Sequence, residues 1–404
     1  MQFQKGKAAL VGAAISVTAL LLSGCAEGGT GGGSGGADGE PIVVASVNAL
    51  SGPGTFPEAS QAAKAVFDEF NANGGLDGRP IEYVVLDDKG DPSSATAAAR
   101  DAVEGNNAVA LVGSASLLDC EVNSAYYEQN GIISIQGTGV DPVCFDSANI
   151  SPANVGPFMD SLLSLAYGSE VLGLDNICGL VTIVGSQLPA YTAAFDQWTA
   201  ATGSEFAMLD ATIPYGVADW TPYIVKAKEA GCEAIYSPAL EPDAVALLRA
   251  AEAQGMNDVT FLFATSAYST QFAEAATFVG QGIYLPAEFT PFTDPSVPGN
   301  EEWVELMEKH NVPLTSFGQG GYLAANYFIE MLQSIEGDIT RESVTAAFKE
   351  QEEPFESTMT GSPWIFGPGE SHGSNTSGWP VVLEPGSSEW LSAADDWIRV
   401  SDFE

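Results

Sequence analysis

From Pro41 onward the chain alternates short apolar runs rich in β-branched residues with amphipathic segments, and this alternation is the feature that most limits its fold. PIVVASVNAL, IEYVVLDD, AVALVGSAS and IISIQG read as buried strands. Between the first two lies PEASQAAKAVFDEFNANGG, in which Ala62, Val66, Phe67 and Phe70 share one helical face, Pro57 suits the first turn and Gly74 the stop. Between the next two, Asp91 reads as an N-cap and Pro92 as the first helical residue. The grammar restarts near residue 175 with GLVTIVG, EFAMLDATIP, EAIYSPAL and VTFLFATS, again separated by helical stretches. After GIYLPAEF come WVELMEKHN, GYLAANYFIEMLQS and RESVTAAFKEQ as helices, then a Gly/Pro-rich tail with strands. The expected class is α/β, with two Rossmann-like lobes, each a parallel sheet flanked by helices.

Upstream of this pattern the sequence has a different character. Lys5 and Lys7 precede an apolar run from Ala8 to Leu22, the length of a signal-peptide core and short for a bilayer span. Leu22-Ser23-Gly24-Cys25 resembles the lipobox of bacterial lipoproteins, which implies cleavage after residue 24 and lipid on Cys25; a plain secretory signal with a chance cysteine is the other reading. Two acyl chains hold a protein on a membrane where one is marginal. Residues 26–39 are a glycine-serine linker with a root-mean-square reach of about 20 Å.

The formal net charge of −40 makes nucleic acid an unsuitable partner and reads mainly as a solubilising surface, favouring a cationic ligand only slightly. Four cysteines follow Cys25. Cys178 and Cys232 each stand just before a similar strand, so parallel neighbours would bring them together; this pairs Cys178 with Cys232 and Cys120 with Cys144, with free buried thiols as the alternative. With only His310 and His372 and no Cys-x-x-Cys, no metal or other cofactor is expected. Asp87, Asp88 and Asp91 lack calcium-loop spacing, and Asp91 is better explained as a cap. No Gly-x-x-x-x-Gly-Lys phosphate loop occurs, and GSASL and GSQLP both miss the serine-hydrolase elbow, so an enzyme is not expected.

In open α/β sheets ligands collect beyond the carboxyl ends of the strands. That rule nominates Phe56, Ser114, Ser116, Leu117, Thr138 and Gly139 in the first lobe, and Tyr191, Leu240, Glu241, Ser266 and Tyr268 in the second. Any one of these serines serves equally well as an ordinary helix cap.

The leader, the strand ending in Ser51-Gly52-Pro53, the segment NANGGLDGRPIEYVVLDDKGDP and the ALVGS strand together resemble the type I periplasmic-binding-protein family, in particular its leucine/isoleucine/valine-binding branch. The resemblance implies an exported, lipid-anchored, monomeric receptor on the outer face of the cytoplasmic membrane. It also implies two lobes joined by a three-crossing hinge, divided as 41–155 with 286–357 and 156–285 with 358–404. Such a receptor traps a small organic molecule and delivers it to the permease of an ABC importer with separate ATPase subunits. A sensor that presents its ligand to a signalling partner is the alternative. In amino-acid-binding relatives hydroxyls hold the α-carboxylate and an acid holds the α-ammonium. Those positions fall near Leu117, Val140 and Ser266 here, which implies weak binding of leucine, isoleucine and valine and a more neutral or apolar ligand.

Overall fold

The computed structural model describes residues 39–403 except 53, 295 and 374, so the leader, Cys25 and most of the linker lie outside the described residues. The first lobe begins with β1 (Ile42–Asn48), α1 (Pro57–Ala72), β2 (Ile81–Asp87) and α2 (Pro92–Arg100). It continues with β3 (Ala110–Ala115), α3 (Asp119–Gln129), β4 (Ser134–Thr138), α4 (Pro142–Phe145) and β5 (Ile150–Pro152). These strands form one parallel sheet in the order β2-β1-β3-β4-β5. Asp91 caps α2 as expected, accepting from the Ser94 N–H at 2.9 Å.

The chain then crosses to the second lobe, which comprises α5 (Pro157–Ala166), β6 (Ile177–Ile183), α6 (Leu188–Thr202), β7 (Met208–Pro214), α7 (Thr221–Glu229) and β8 (Ala234–Ser237). It is continued by α8 (Glu241–Ala253), β9 (Thr260–Phe263), α9 (Thr270–Ala275) and β10 (Ile283–Ala287). The chain returns to the first lobe as α10 (Glu301–His310), α11 (Ser316–Ser334) and α12 (Arg341–Lys349). It crosses again to add β11 (Ser377–Leu383), β12 (Trp390–Ser392) and β13 (Ile398–Arg399). The second sheet runs β12-β11-β10-β9-β8-β6-β7, with β11 antiparallel to β10 and β13 paired to β11.

Each sheet is covered on both faces. In the first lobe α1, α10, α11 and α12 supply Phe67, Trp303, Met307, Phe328 and Phe348 to one face, and α2 and α3 cover the other with Ala99 and Tyr127. In the second lobe one core contains Leu248 and Phe272 and the opposite one Leu163 and Trp198. Met359, Trp364 and Phe366 also pack into the first-lobe core, and the chain rejoins the second sheet at Ser377. Trp364 stacks on Tyr327 at 4.7 Å and donates its indole N–H to the Pro152 carbonyl at 3.0 Å.

The three crossings are bonded to one another. Asn375 donates to the Glu288 carbonyl at 3.0 Å, and the Thr290 N–H donates to the Met359 carbonyl at 2.9 Å. The Asn154 amide donates to the Glu288 carboxylate at 3.0 Å. Both expected disulfides are present, Cys120–Cys144 in the first lobe and Cys178–Cys232 in the second. Among the described residues no helix is long and apolar enough to cross a membrane.

Candidate functional site

Helix N-termini and strand ends of both lobes face each other across a cleft, the location that open parallel sheets favour. From the first lobe come the loop after β1, the first turns of α1 and α11, and the loops after β3 and β4. The second contributes the loops after β6 to β9 and the starts of α5 and α8. The loop after β1 is held by Asp87, which accepts from the N–H groups of Leu50 and Ser51 at 3.1 and 3.2 Å. The lobes touch around the cleft: Gln187 donates to the Val140 carbonyl at 2.8 Å, and the Thr265 and Ser316 hydroxyls lie 3.2 Å apart.

The space between them forms two adjoining chambers. The outer one, of about 300 Å3, is lined from the first lobe by Gly54, Phe56, Glu58 and Phe317 and from the second by Glu241 and Tyr268. The inner one, of about 70 Å3, is lined by Leu117, Thr138, Gly139, Tyr191, Asp160 and Glu288, among others. Tyr215, Leu240, Thr265, Ser266 and Phe317 border both. An apolar clamp divides them: Phe56 and Phe317 meet edge to face at 5.2 Å, and Leu117 and Leu240 close on them from opposite lobes.

Of the residues nominated from the strand ends, Phe56, Leu117, Thr138, Gly139, Tyr191, Leu240, Glu241, Ser266 and Tyr268 line these chambers. Ser114 and Ser116 do not. The β1–β3 and β3–β4 registers shift at this end of β3, where Gly113 adopts a positive φ of 73°. Ser114 is turned inward to accept from the Val47 N–H at 3.1 Å. Ser116 donates to Asp88 and accepts from the Leu118 and Asp119 N–H groups at 3.0 and 2.9 Å, the ordinary cap that was its other reading.

Strand-end reasoning missed Phe317, Tyr215, Asp160 and Glu288. Phe317 belongs to a helix entered from a loop rather than from a strand, and Glu288 sits on a crossing segment, so neither follows from the rule. Tyr215 directly follows β7 and was within its reach. The missed acids change the chemistry, for the cleft is not neutral. Asp160, Glu288, Glu58 and Glu241 all line it, while no lysine, arginine or histidine does among the described lining residues. Burial, then repulsion from Glu288, pushes the Asp160 carboxyl well above its ordinary range, and burial raises Glu288 to about 7. Burial also raises Glu58, with Glu241 adding repulsion.

A pH dependence of stability follows. Burial lifts Asp119 to about 6 and Asp141 to about 7, as it lifts Glu288. These folded-state values lie above those of unfolded carboxyls near 4, so the folded protein holds more protons from about pH 4 to 7 and stability falls as pH rises through that window. Asp91, Asp219 and Asp294 act oppositely: side-chain hydrogen bonds from Ser93, Thr221 and Ser296 lower them, a contribution lost only at lower pH. The unliganded protein is expected to melt at a higher temperature at pH 5.5 than at pH 8 in scanning calorimetry. A melting temperature that rises over that interval would contradict the assignment.

Two α/β lobes, three bonded crossings and a ligand-sized cleft define a solute-binding protein rather than an enzyme. The chain belongs to the periplasmic binding protein family, whose sequence profile it matches over residues 41–382. It is 24% identical over 361 residues to an amino acid binding protein of Pseudomonas aeruginosa, covering 88% of this chain and 85% of that one. It superposes with a TM-score of 0.76 on an ABC-transporter solute-binding protein of Rhodopseudomonas palustris HaA2 in complex with p-hydroxybenzoic acid, at 15% identity over 89% of this chain and 98% of the other. The branched-chain amino acid transporter substrate-binding protein LivJ of Streptococcus pneumoniae, in complex with isoleucine, gives a TM-score of 0.72 at 16% identity, over 89% and 100%.

Proposed function

We propose that this protein is the solute receptor of an ABC importer, moored outside the cytoplasmic membrane through lipid on Cys25. It traps one small organic molecule between its lobes and hands it to a membrane permease whose ATPase subunits are separate chains. The observation that carries the reading is the paired chamber lined from both lobes, with its Phe56–Phe317 and Leu117–Leu240 clamp for an apolar body. Two of the transporter receptors it resembles are in complex with isoleucine and p-hydroxybenzoic acid, both small organic molecules. Leucine, isoleucine and valine remain poor candidates, because Leu117 and Val140 bring no hydroxyl to the cleft and Ser266 brings no acid. Mass spectrometry of solute released on denaturing the purified protein is expected to find one compound. Added back, that compound stabilises the fold by about 2.7 kcal/mol at a hundredfold excess over Kd. Steady consumption of the compound would sink the receptor reading.

A further inference from the structure

The inner chamber ends on two carboxyl groups that the fold leaves half used. Glu288, just beyond β10 and 1% exposed, accepts through Oε1 from the Gly156 N–H at 2.8 Å and the Asn154 amide at 3.0 Å. Asp160, in the first turn of α5 and fully buried, accepts through Oδ2 from the Thr265 N–H at 2.7 Å. Thr265 braces both, since its hydroxyl also accepts from the Glu288 N–H at 3.4 Å. The second oxygen of each, Oε2 of Glu288 and Oδ1 of Asp160, is buried without a hydrogen-bond partner, and both residues line the same chamber. A buried polar atom left unpaired is costly. Here two such residues border one small space with no basic side chain among its lining residues.

Building on the receptor reading, we infer that the solute carries a protonated nitrogen, an ammonium or amidinium, that enters the inner chamber and donates to Asp160 Oδ1 and Glu288 Oε2. Its apolar body then lies against Tyr191, Leu117, Leu240 and Phe317. A carboxylate on the same solute would meet Glu58 and Glu241 in the outer chamber with no cation to offset it, so the solute class is an organic amine rather than an amino acid or acid.

The opposite chemistry, a protonated pair donating to an anionic solute, makes a prediction of opposite sign. Apart from each other, the titratable groups that face Asp160 are the phenols of Tyr191 and Tyr236, which stay neutral at these pH values, and Asn154 faces Glu288. Between pH 5 and 8, then, the pair itself sets the proton count. An ammonium displaces a proton from the pair and binds more tightly as pH rises, whereas a carboxylate held by protonated acids binds less tightly.

The test is a thermal-shift and calorimetry panel on the purified protein, with linear, branched and aromatic bodies each presented as primary amine, amino acid, alcohol and carboxylate. The expected binders are amines. Their affinity should increase from pH 5 to pH 8 and drop at least about tenfold in the isosteric variants Asp160→Asn and Glu288→Gln, tested singly. Far-ultraviolet dichroism of both variants is expected to match the parent. Binding confined to amine-free probes, affinity that falls with pH, or amine binding unchanged in both variants would overturn the inference and leave the receptor reading standing. A panel with no binder at all would overturn both.

Discussion

Gly321→Val is expected to leave little or no folded protein. The backbone of α11 runs so close to α1 and β4 that a Cβ on Gly321 would sit 1.9 Å from the Ala59 carbonyl oxygen, and one on Gly320 2.0 Å from that of Gly137. In each case the obstacle is backbone rather than a side-chain end that could swing aside. Either α11 lifts off the sheet, opening the core around Phe328 and Leu323, or α1 moves with it. The cost should exceed about 4 kcal/mol, at the extreme of single substitutions. The same contact seats Ser316 and Phe317 in the cleft, so any folded remnant should also bind solute poorly. Gly280→Ala is the control, because its Cβ would meet only the Asn257 carbonyl at 3.5 Å. Urea titration should find that control within about 0.5 kcal/mol of the parent. A Gly321→Val protein of parental stability would show that the two helices do not meet so closely.

The two disulfides should separate stability from binding. Cys178–Cys232 spans 54 residues and joins the start of β6 to the segment before β8, at the strand ends opposite the cleft. Closing that loop restricts the unfolded chain by about 4 kcal/mol in the chain-entropy account, so Cys178→Ser with Cys232→Ser should cost that much and leave affinity alone. Cys120–Cys144 spans 24 residues, worth about 3.5 kcal/mol by the same account. It also ties α3 to α4, and therefore the loop bearing Leu117 to the loop bearing Thr138 and Gly139. Cys120→Ser with Cys144→Ser should lower stability and weaken solute binding together. Equal effects of the two pairs on affinity would mean that the first-lobe loops are held by other contacts.

The lobes were legible in the sequence because buried parallel strands announce themselves by β-branched runs, and the intervening helices by their caps and apolar faces. The cleft was legible for a related reason: chain order fixes which loops stand at the carboxyl ends of the strands. What local pattern does not carry is contact between segments far apart in the chain. Glu288 meets Gly156 across 132 residues, and nothing near either residue marks the meeting. A positive-φ glycine at the end of β3 likewise decides which way Ser114 and Ser116 point, and a bulge leaves no signature in hydrophobic period. The sequence therefore suggested a neutral or apolar ligand, with Glu241 the one acid nominated at the cleft, whereas Asp160, Glu288 and Glu58 line the assembled one as well.

The central claim is that solute lies between the lobes. Gly54, on the first-lobe loop, faces Tyr215 of the second so closely that a Cβ there would be 2.4 Å from the Tyr215 hydroxyl. A Gly54→Trp side chain would fill the outer chamber and hold the lobes apart without touching either core. Calorimetric titration of the compound released from the parent protein is the direct test: one molecule per chain for the parent, and affinity at least about a hundredfold weaker for Gly54→Trp at an unchanged melting temperature. Unchanged affinity in a folded Gly54→Trp protein would place the solute outside this cleft and contradict the account.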